Sequence, residues 1–228
     1  MLYLKTIGVG LLGYYVSSFL DFLGLKFISA GLERIVLFSY PTMVLLFASV
    51  LYGVAIRKYQ WLALLLCYAG IALFFAADMQ QGSQTNVLTG GLLILGCALT
   101  YAFYVLWSGR LIPAMGSAYF TSIAMMAATI AVLLHYWIHG STLEVVMHFS
   151  SKVYGYLLLM AVFSTVVPAL LISAALRRLG SGNVAIVSAI GPIATILLGS
   201  AFLGEAVGAF QVCGALLVIA GVLIIGRK

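Results

Sequence analysis

Long stretches without charge dominate the chain, and they predict its secondary structure. Charged residues interrupt the sequence only at intervals, and the runs between them are long enough to cross a bilayer, which takes about 20 residues in a helix. The strands of a lipid-spanning barrel would instead show alternating segments of about 10 residues. We therefore predict an all-α fold, a polytopic transmembrane helix bundle with eight helices near residues 3–24, 32–53, 58–77, 88–109, 117–138, 153–175, 182–203 and 207–226.

The composition agrees with a membrane protein. Hydrophobic residues make up 64% of the chain, charged residues 7%, and the mean hydropathy is +1.21. A soluble domain of this size cannot bury so much apolar surface, so the lipid bilayer is the expected partner. The sequence has no nucleotide-binding loop, zinc motif or nucleophile elbow, and we expect neither an enzyme nor a cofactor.

Two histidines four residues apart, His135 and His139, raise the question of a metal site. Glu144 and His148 follow them in the sequence. Histidines at this spacing can share a helix face and bind a metal, but no motif fixes a third ligand. The three cysteines also lack metal-ligand spacing, and we expect no metal site.

The distribution of charge predicts the orientation. With eight helices both termini lie on one side, and eight of the eleven basic residues fall there: Lys5, Arg57, Lys58, Arg110, Arg177, Arg178, Arg227 and Lys228. The positive-inside rule places that side in the cytoplasm of a bacterial inner membrane. The net charge of +6 is then explained by anionic lipid, and no nucleic acid is needed as a partner.

An internal repeat appears when the chain is shifted along itself by 151 residues. Residues 25–71 then align without a gap on residues 176–222, with fourteen identities in forty-seven positions, including Pro41 on Pro192 and Gly70 on Gly221. Five helix steps separate the copies, so they cross the membrane in opposite directions. We predict an inverted repeat, with an incomplete first repeat of three helices at 1–78 and a complete second repeat of five at 87–228, an architecture typical of transporters.

The segment "LGSGNVAIVSAIGPIATILLGSAFLGE", followed by Gln211 and "GALLVIAGVLII", resembles the EamA-type drug/metabolite transporter superfamily. The resemblance covers nearly the whole chain, although the first copy has Val54 in place of Glu205. It implies a ten-helix architecture, of which this chain would lack the first two helices. It also implies a secondary transporter that exports small metabolites, such as amino acids or related compounds, with a homodimer as one option.

The two equivalent prolines predict a hinge beside a central cavity. Pro41 and Pro192 lie inside apolar runs, and each would free a carbonyl about four residues earlier, at Leu37 and Ser188. Such carbonyls are tolerated at membrane depth only where they face protein, water or ligand. Packing kinks satisfied by neighbouring helices are the alternative.

Other polar and aromatic residues at mid-depth are predicted to line the same cavity and hold an amphipathic solute. Thr100, Tyr104 and Trp107 recur at spacings that put them on one helix face. The predicted substrate-binding residues are Tyr14, Ser18, Tyr40, Pro41, Thr100, Tyr104, Trp107, Ser164, Ser188 and Pro192. Asp21 is the candidate for ion coupling, because an acid inside the hydrocarbon region is usually functional; solvation at the exterior helix end is the alternative.

Three functions remain open from the sequence. The repeat and the missing nucleotide motif favour a secondary transporter that works by alternating access. The two absent helices would instead suit a truncated, non-transporting fragment or a membrane assembly partner. An intramembrane enzyme would need a paired catalytic constellation, which the sequence does not show.

Overall fold

The described part of the chain is almost entirely helical. In this computed structural model the described residues are 2–53, 55–80, 86–139, 149–187, 194, 198, 201–202 and 208–225, and none of them lies in a β-strand. Five helical spans are long and apolar enough to cross a membrane, and two shorter apolar helices, Lys58–Phe74 and Ala209–Ile224, accompany them. The predicted all-α, polytopic bundle is therefore confirmed as the fold class.

The helices are labelled here in chain order. Helix α1 covers Leu2–Gly24, with a π-helical segment at Leu11–Val16. The following helices are α2 (Ala30–Leu37), α3 (Tyr40–Tyr52), α4 (Lys58–Gln80), α5 (Val87–Met115) and α6 (Ser117–Ile138). Helix α7 combines Ser151–Leu159, a π-helical segment at Met160–Val166 and Val167–Val187, and α8 covers Ala209–Ile225.

Four predicted helices, at 3–24, 58–77, 117–138 and 207–226, agree with α1, α4, α6 and α8 to within a few residues. The predicted end of the fourth helix at residue 109 is wrong, because α5 continues to Met115. Leu111 and Ile112 are buried, so the apolar face extends one turn beyond Arg110. The Arg110 guanidinium lies over the Tyr52 ring, 3.3 Å from its centroid, and the helix ends at Gly116, whose φ is 87°.

The predicted helix at 32–53 consists of two helices, α2 and α3, separated by a turn at Phe38 and Ser39. Pro41 lies in the first turn of α3, where its missing N–H leaves no carbonyl of its own helix unpaired. The Ser39 carbonyl accepts hydrogen bonds from the Thr42 N–H (3.0 Å), the Met43 N–H (3.2 Å) and the Thr42 hydroxyl (2.6 Å). The proline therefore marks a helix break and not a kink within one continuous helix.

The predicted connection at 176–181, between the sixth and seventh helices, is also wrong. Helix α7 runs through it to Val187, and Leu176 is buried within the bundle. Most of the predicted helix at 182–203, including Ser188 and Pro192, lies outside the described residues. The prediction of eight helices therefore stays a prediction.

Helices α4 and α8 form the most extensive helix pair of the described bundle. Glycines allow their backbones to approach closely: a Cβ atom added at Gly70 would lie 2.5 Å from the Gly214 carbonyl oxygen, and one added at Gly221 would lie 2.6 Å from the Ala63 carbonyl oxygen. Between these two contacts the Cys67 thiol lies 3.5 Å from the Val218 carbonyl oxygen. Small residues at such contacts are typical of helix association in membranes, where apolar surface alone gives no preference for protein over lipid.

We expect Gly70→Ala to destabilise the bundle, because the new methyl group overlaps the backbone of α8. Overpacking of this kind costs about 1–3 kcal/mol in the free energy of unfolding. Thermal unfolding of the purified chain in detergent measures the effect. Gly155→Ala is the matched control, since a Cβ there meets nothing within 4 Å. Equal melting temperatures for the two variants would contradict the close α4–α8 contact.

Candidate functional site

A cavity of about 440 Å³ lies between α1, the α2–α3 turn, α5 and α7. Its wall combines hydroxyl groups, aromatic rings and two charged side chains. The lining residues are Gly13, Tyr14, Ser17, Ser18, Asp21, Arg34, Leu37, Phe38, Tyr40, Cys97, Tyr101, Tyr104, Ser164, Thr165, Pro168, Ala169 and Ile172.

Two π-helical segments supply opposite parts of this wall. Leu11–Val16 contributes Gly13 and Tyr14, and Met160–Val166 contributes Ser164 and Thr165. A π-helical turn contains an extra residue compared with an α-helical turn and is frequent at functional sites. Both departures from regular helix therefore occur where the backbone borders a cavity and not in the parts of α1 and α7 beyond it.

The lining residues of α1 and α7 correspond to one another at the 151-residue offset of the sequence repeat. Each lining residue of α1 is matched by a lining residue of α7 that lies 151 positions later in the chain. The pairs are Gly13 with Ser164, Tyr14 with Thr165, Ser17 with Pro168, Ser18 with Ala169, and Asp21 with Ile172. The positions correspond although the residue types differ, so the two sides of the cavity are similar in backbone placement and different in chemistry.

Tyrosines form the aromatic part of the wall. The Tyr14 and Tyr104 hydroxyl oxygens are 2.8 Å apart, within hydrogen-bond distance. The Tyr101 ring stacks on the Tyr104 ring with centroids 5.6 Å apart, and its other neighbour is the Tyr40 ring at 5.0 Å, edge to face. Tyr104 is almost fully buried, and Gly13 leaves room for its ring, since a Cβ on Gly13 would overlap it. The rings are held by one another and provide an apolar surface with hydroxyl groups at its edge.

Charged residues form another part of the wall. Asp21 from α1 and Arg34 from α2 both line the cavity, and Glu33 lies behind Arg34 with 2% of its side chain exposed. The Arg34 Nε lies 3.2 Å from Glu33 Oε2, so the two side chains form an ion pair. Ser29 caps α2 by accepting from the Leu32 N–H at 3.1 Å, which fixes the first helical turn that carries Glu33. The cavity therefore offers both signs of charge to a solute.

The cavity brings together six of the eleven residues predicted from the sequence: Tyr14, Ser18, Tyr40, Tyr104, Ser164 and the coupling candidate Asp21. Pro41 is buried next to Tyr40 but does not line the cavity. The Thr100 hydroxyl donates within its own helix, to the Cys97 carbonyl at 2.9 Å. Trp107 is 40% exposed at the bundle surface, and neither residue lines the cavity. Ser188 and Pro192 lie outside the described residues.

Sequence reasoning missed Glu33 and Arg34, which were not among the predicted site residues. The signal was available, because both charges lie inside the predicted span 32–53, where charged residues are usually functional. Phe38 and Cys97 were missed as well, and their apolar or small side chains gave no signal.

The histidine pair at the end of α6 has local partners. His135 Nδ1 lies 2.6 Å from the Tyr15 hydroxyl, and the His135 and His139 rings stack with centroids 4.3 Å apart. Within the described ranges no three His, Cys, Asp or Glu side chains gather as metal ligands. Glu144 and His148 are outside those ranges.

The fold and the cavity together are those of a polytopic membrane protein that can hold a small solute between its helices. The profile of the EamA-like transporter family matches residues 88–227, well over half of the chain. The chain belongs to this family, and it is an integral membrane transporter.

Related proteins agree with the family assignment. The uncharacterized transporter YcbK of Bacillus subtilis (strain 168) is 33% identical over 218 residues, which cover 92% of this chain and 68% of YcbK. The uncharacterized transporter YyaM of the same strain is 25% identical over 226 residues, covering 94% of this chain and 70% of YyaM. A solved crystal structure of a protein has the same fold, with a TM-score of 0.65 and 16% identity over 96% of this chain and 75% of its own.

We expect cysteines placed in the cavity wall to react with a water-soluble maleimide. Ser18→Cys and Ser164→Cys should be labelled, because both positions line the cavity. Ser173→Cys is the matched control, since Ser173 is fully buried and hydrogen-bonded to Thr121 at 2.5 Å. The variants are made in a chain whose three native cysteines are replaced by serine or alanine, and labelling is read by mass spectrometry. Equal labelling at all three positions would contradict a water-accessible cavity bounded by α1 and α7.

Proposed function

We propose that this transporter works by alternating access and binds its solute in the cavity between α1, α2, α5 and α7. The observation that carries the proposal is the correspondence of five pairs of lining residues at the 151-residue offset. A site bordered by equivalent parts of two inverted repeats can open to either side of the membrane when one repeat rocks against the other.

A second contact follows the same offset. Gly70 is equivalent to Gly221, and Ala63 is equivalent to Gly214, so the Gly70–Gly214 contact and the Gly221–Ala63 contact are equivalent with the helices exchanged. Cys67 likewise lies opposite its own equivalent, Val218. A two-fold axis between α4 and α8 would produce this exchange of partners. The proposed repeats, 1–78 and 87–228, are therefore supported at two separate places, the cavity and the α4–α8 pair.

The cavity suits a small amphipathic solute. Its volume of about 440 Å³ lies within the range of small-molecule pockets, which is about 300–1,000 Å³. The tyrosine rings can pack on an apolar body while Asp21, Arg34 and the serine hydroxyls bind polar groups. We propose export of small metabolites such as amino acids or related compounds; the direction and the substrate class rest on the resemblance to the superfamily.

The break at Phe38 and Ser39 is the proposed hinge. It contains the cavity residue Phe38 and is followed directly by the cavity residue Tyr40. It divides a membrane span into two helices, which we propose tilt separately. In the proposed repeat Pro192 holds the equivalent position, and Ser188 corresponds to the cavity residue Leu37. On this correspondence in sequence we propose Ser188 as a further substrate-binding residue.

The proposed orientation has both termini in the cytoplasm of a bacterial inner membrane. Its support is the charge distribution, with eight of the eleven basic residues on the side of the termini.

Substrate-dependent efflux tests the proposal. Cells that express the chain are loaded with a panel of labelled amino acids and related amines, and loss of label is compared with cells carrying an empty vector. Accelerated loss of at least one compound is expected. Loss of none across the panel, from cells whose membranes contain the protein, would contradict export of this class.

Tyr40→Phe and Pro41→Ala are expected to slow efflux more than they reduce the amount of protein in the membrane. Removing the Tyr40 hydroxyl takes away a polar contact worth about 1 kcal/mol, or roughly a fivefold change in rate. An alanine at position 41 restores an N–H and lets the helix continue through the break.

Matched controls are available for both variants. Tyr119→Phe changes an exposed tyrosine outside the cavity, and Pro113→Ala changes a proline near the end of α5 that does not line it. Unchanged efflux in both Tyr40→Phe and Pro41→Ala, or an equal decrease in the controls, would refute the hinge and the cavity as the transport site.

A further inference from the structure

Two carboxyl groups lie around the Arg34 guanidinium, and they come from different helices. Asp21 of α1 lines the cavity together with Arg34, and Oε2 of Glu33, from α2, lies 3.2 Å from Arg34 Nε. Asp21 Oδ1 and Glu33 Oε1 are both buried, and neither has a hydrogen-bond partner among the described residues. Two carboxyl groups can be hydrogen-bonded to each other only if one of them carries a proton.

A purely structural role explains part of this cluster. An acid in the first turn of α2 is favoured by the helix dipole, and Arg34 neutralises Glu33 through the 3.2 Å contact at Oε2. That role leaves Glu33 Oε1 and Asp21 Oδ1 unexplained. It also does not require an acid on α1, whose helix is complete without one.

The charges of the cluster are unbalanced. Two carboxylates and one guanidinium leave a net charge of −1 at a position where Glu33 is 98% buried, since only 2% of its side chain is exposed. An uncompensated buried charge is strongly unfavourable. One proton on the pair removes the excess charge and supplies the missing hydrogen-bond donor.

We propose that Asp21 and Glu33 share one exchangeable proton and form the ion-coupling site of the transporter. Asp21 lines the cavity and exchanges the proton with it, whereas Glu33 is the inner partner. Arg34 pairs with whichever carboxylate is ionised. A cationic amine group of a solute that reaches Asp21 then takes the place of the proton, so the solute and the proton move in opposite directions. This coupling rests on the transport function proposed above.

The groups that surround the two acids are a thiol, an aromatic ring and one guanidinium, so the acids themselves are the proposed proton site. From α5, the Cys97 thiol and the Tyr101 ring face the cluster, and the thiol lies 3.2 Å from the Ser17 hydroxyl of α1. Helix α4 also packs on α2, but its buried thiol, Cys67, contacts Val218 of α8. Among the described side chains of these helices, Arg34 is the charge that interacts with both acids.

Infrared difference spectroscopy tests the shared proton without any substrate. The purified full chain in liposomes is stepped from acid to alkaline pH, and the C=O stretch of protonated carboxyl groups is recorded in H₂O and D₂O. The wild type should lose one buried carboxylic acid band, and the band should shift in D₂O. Asp21→Asn and Glu33→Gln should each abolish it, because the remaining acid is then ionised and paired with Arg34.

Asp78→Asn, which changes an acid on α4, is the control and should keep the band. Gel filtration of the two isosteric variants verifies that they fold. Absence of the band in the wild type, or its survival in either Asp21→Asn or Glu33→Gln, would overturn the shared proton.

The proton site and the transport function can fail separately. Efflux without the band overturns the carboxyl pair and leaves the transporter, while the band without efflux of any tested compound overturns the proposed export. If both the band and efflux are observed, Glu33→Gln should make efflux insensitive to an imposed pH gradient. Efflux from this variant that depends on the gradient as strongly as in the wild type would overturn the coupling role.

Discussion

The need to pair every backbone N–H and C=O group inside the membrane governs this structure. Hydrocarbon offers no hydrogen-bond partner, so a spanning chain must be helical, and any irregular backbone must face protein or a polar cavity. Three irregularities of the described spans obey this rule in the same way. Both π-helical segments and the turn at Phe38 and Ser39 contribute residues to the same cavity. These three breaks in regular helix thus border the same cavity.

The remainder of the bundle shows what regular helices do under the same constraint. Helices α4 and α8 lie against each other through glycines and a cysteine, with carbonyl oxygens close to the neighbouring backbone. Contacts of this kind depend on shape and leave no space for repacking, because a single methyl group would overlap the partner. In the proposed mechanism α4 belongs to the first repeat and α8 to the second, so this pair is the contact across which the two repeats rock. The broken and widened turns lie in the helices around the cavity.

The sequence predicted the class of fold and several helices closely, because long uncharged runs leave a helix as the only stable conformation in lipid. It failed where a local signal was judged without its neighbours. Arg110 was read as the end of a helix, but the Tyr52 ring accommodates the guanidinium and the buried Leu111 and Ile112 continue the apolar face. Trp107 was assigned to the cavity from its spacing to Tyr104, yet periodicity gives the direction of a side chain and not the length of the cavity along the helix. Arg34 and Glu33 were left out of the predicted site because their distance from the cavity depends on how α2 packs against α5, which the sequence of one helix does not reveal.

The two π-helical segments have a consequence for how the cavity can change shape. Each contains a turn whose hydrogen-bond register is already displaced, and a displaced register can pass along a helix by exchanging one carbonyl acceptor at a time. Such a step rotates the side chains on one side of the displacement while both ends of the helix stay where they are. Tyr14 and Thr165 lie within these segments on opposite walls. The cavity therefore has a means of turning its lining residues that requires no helix to slide through the bilayer.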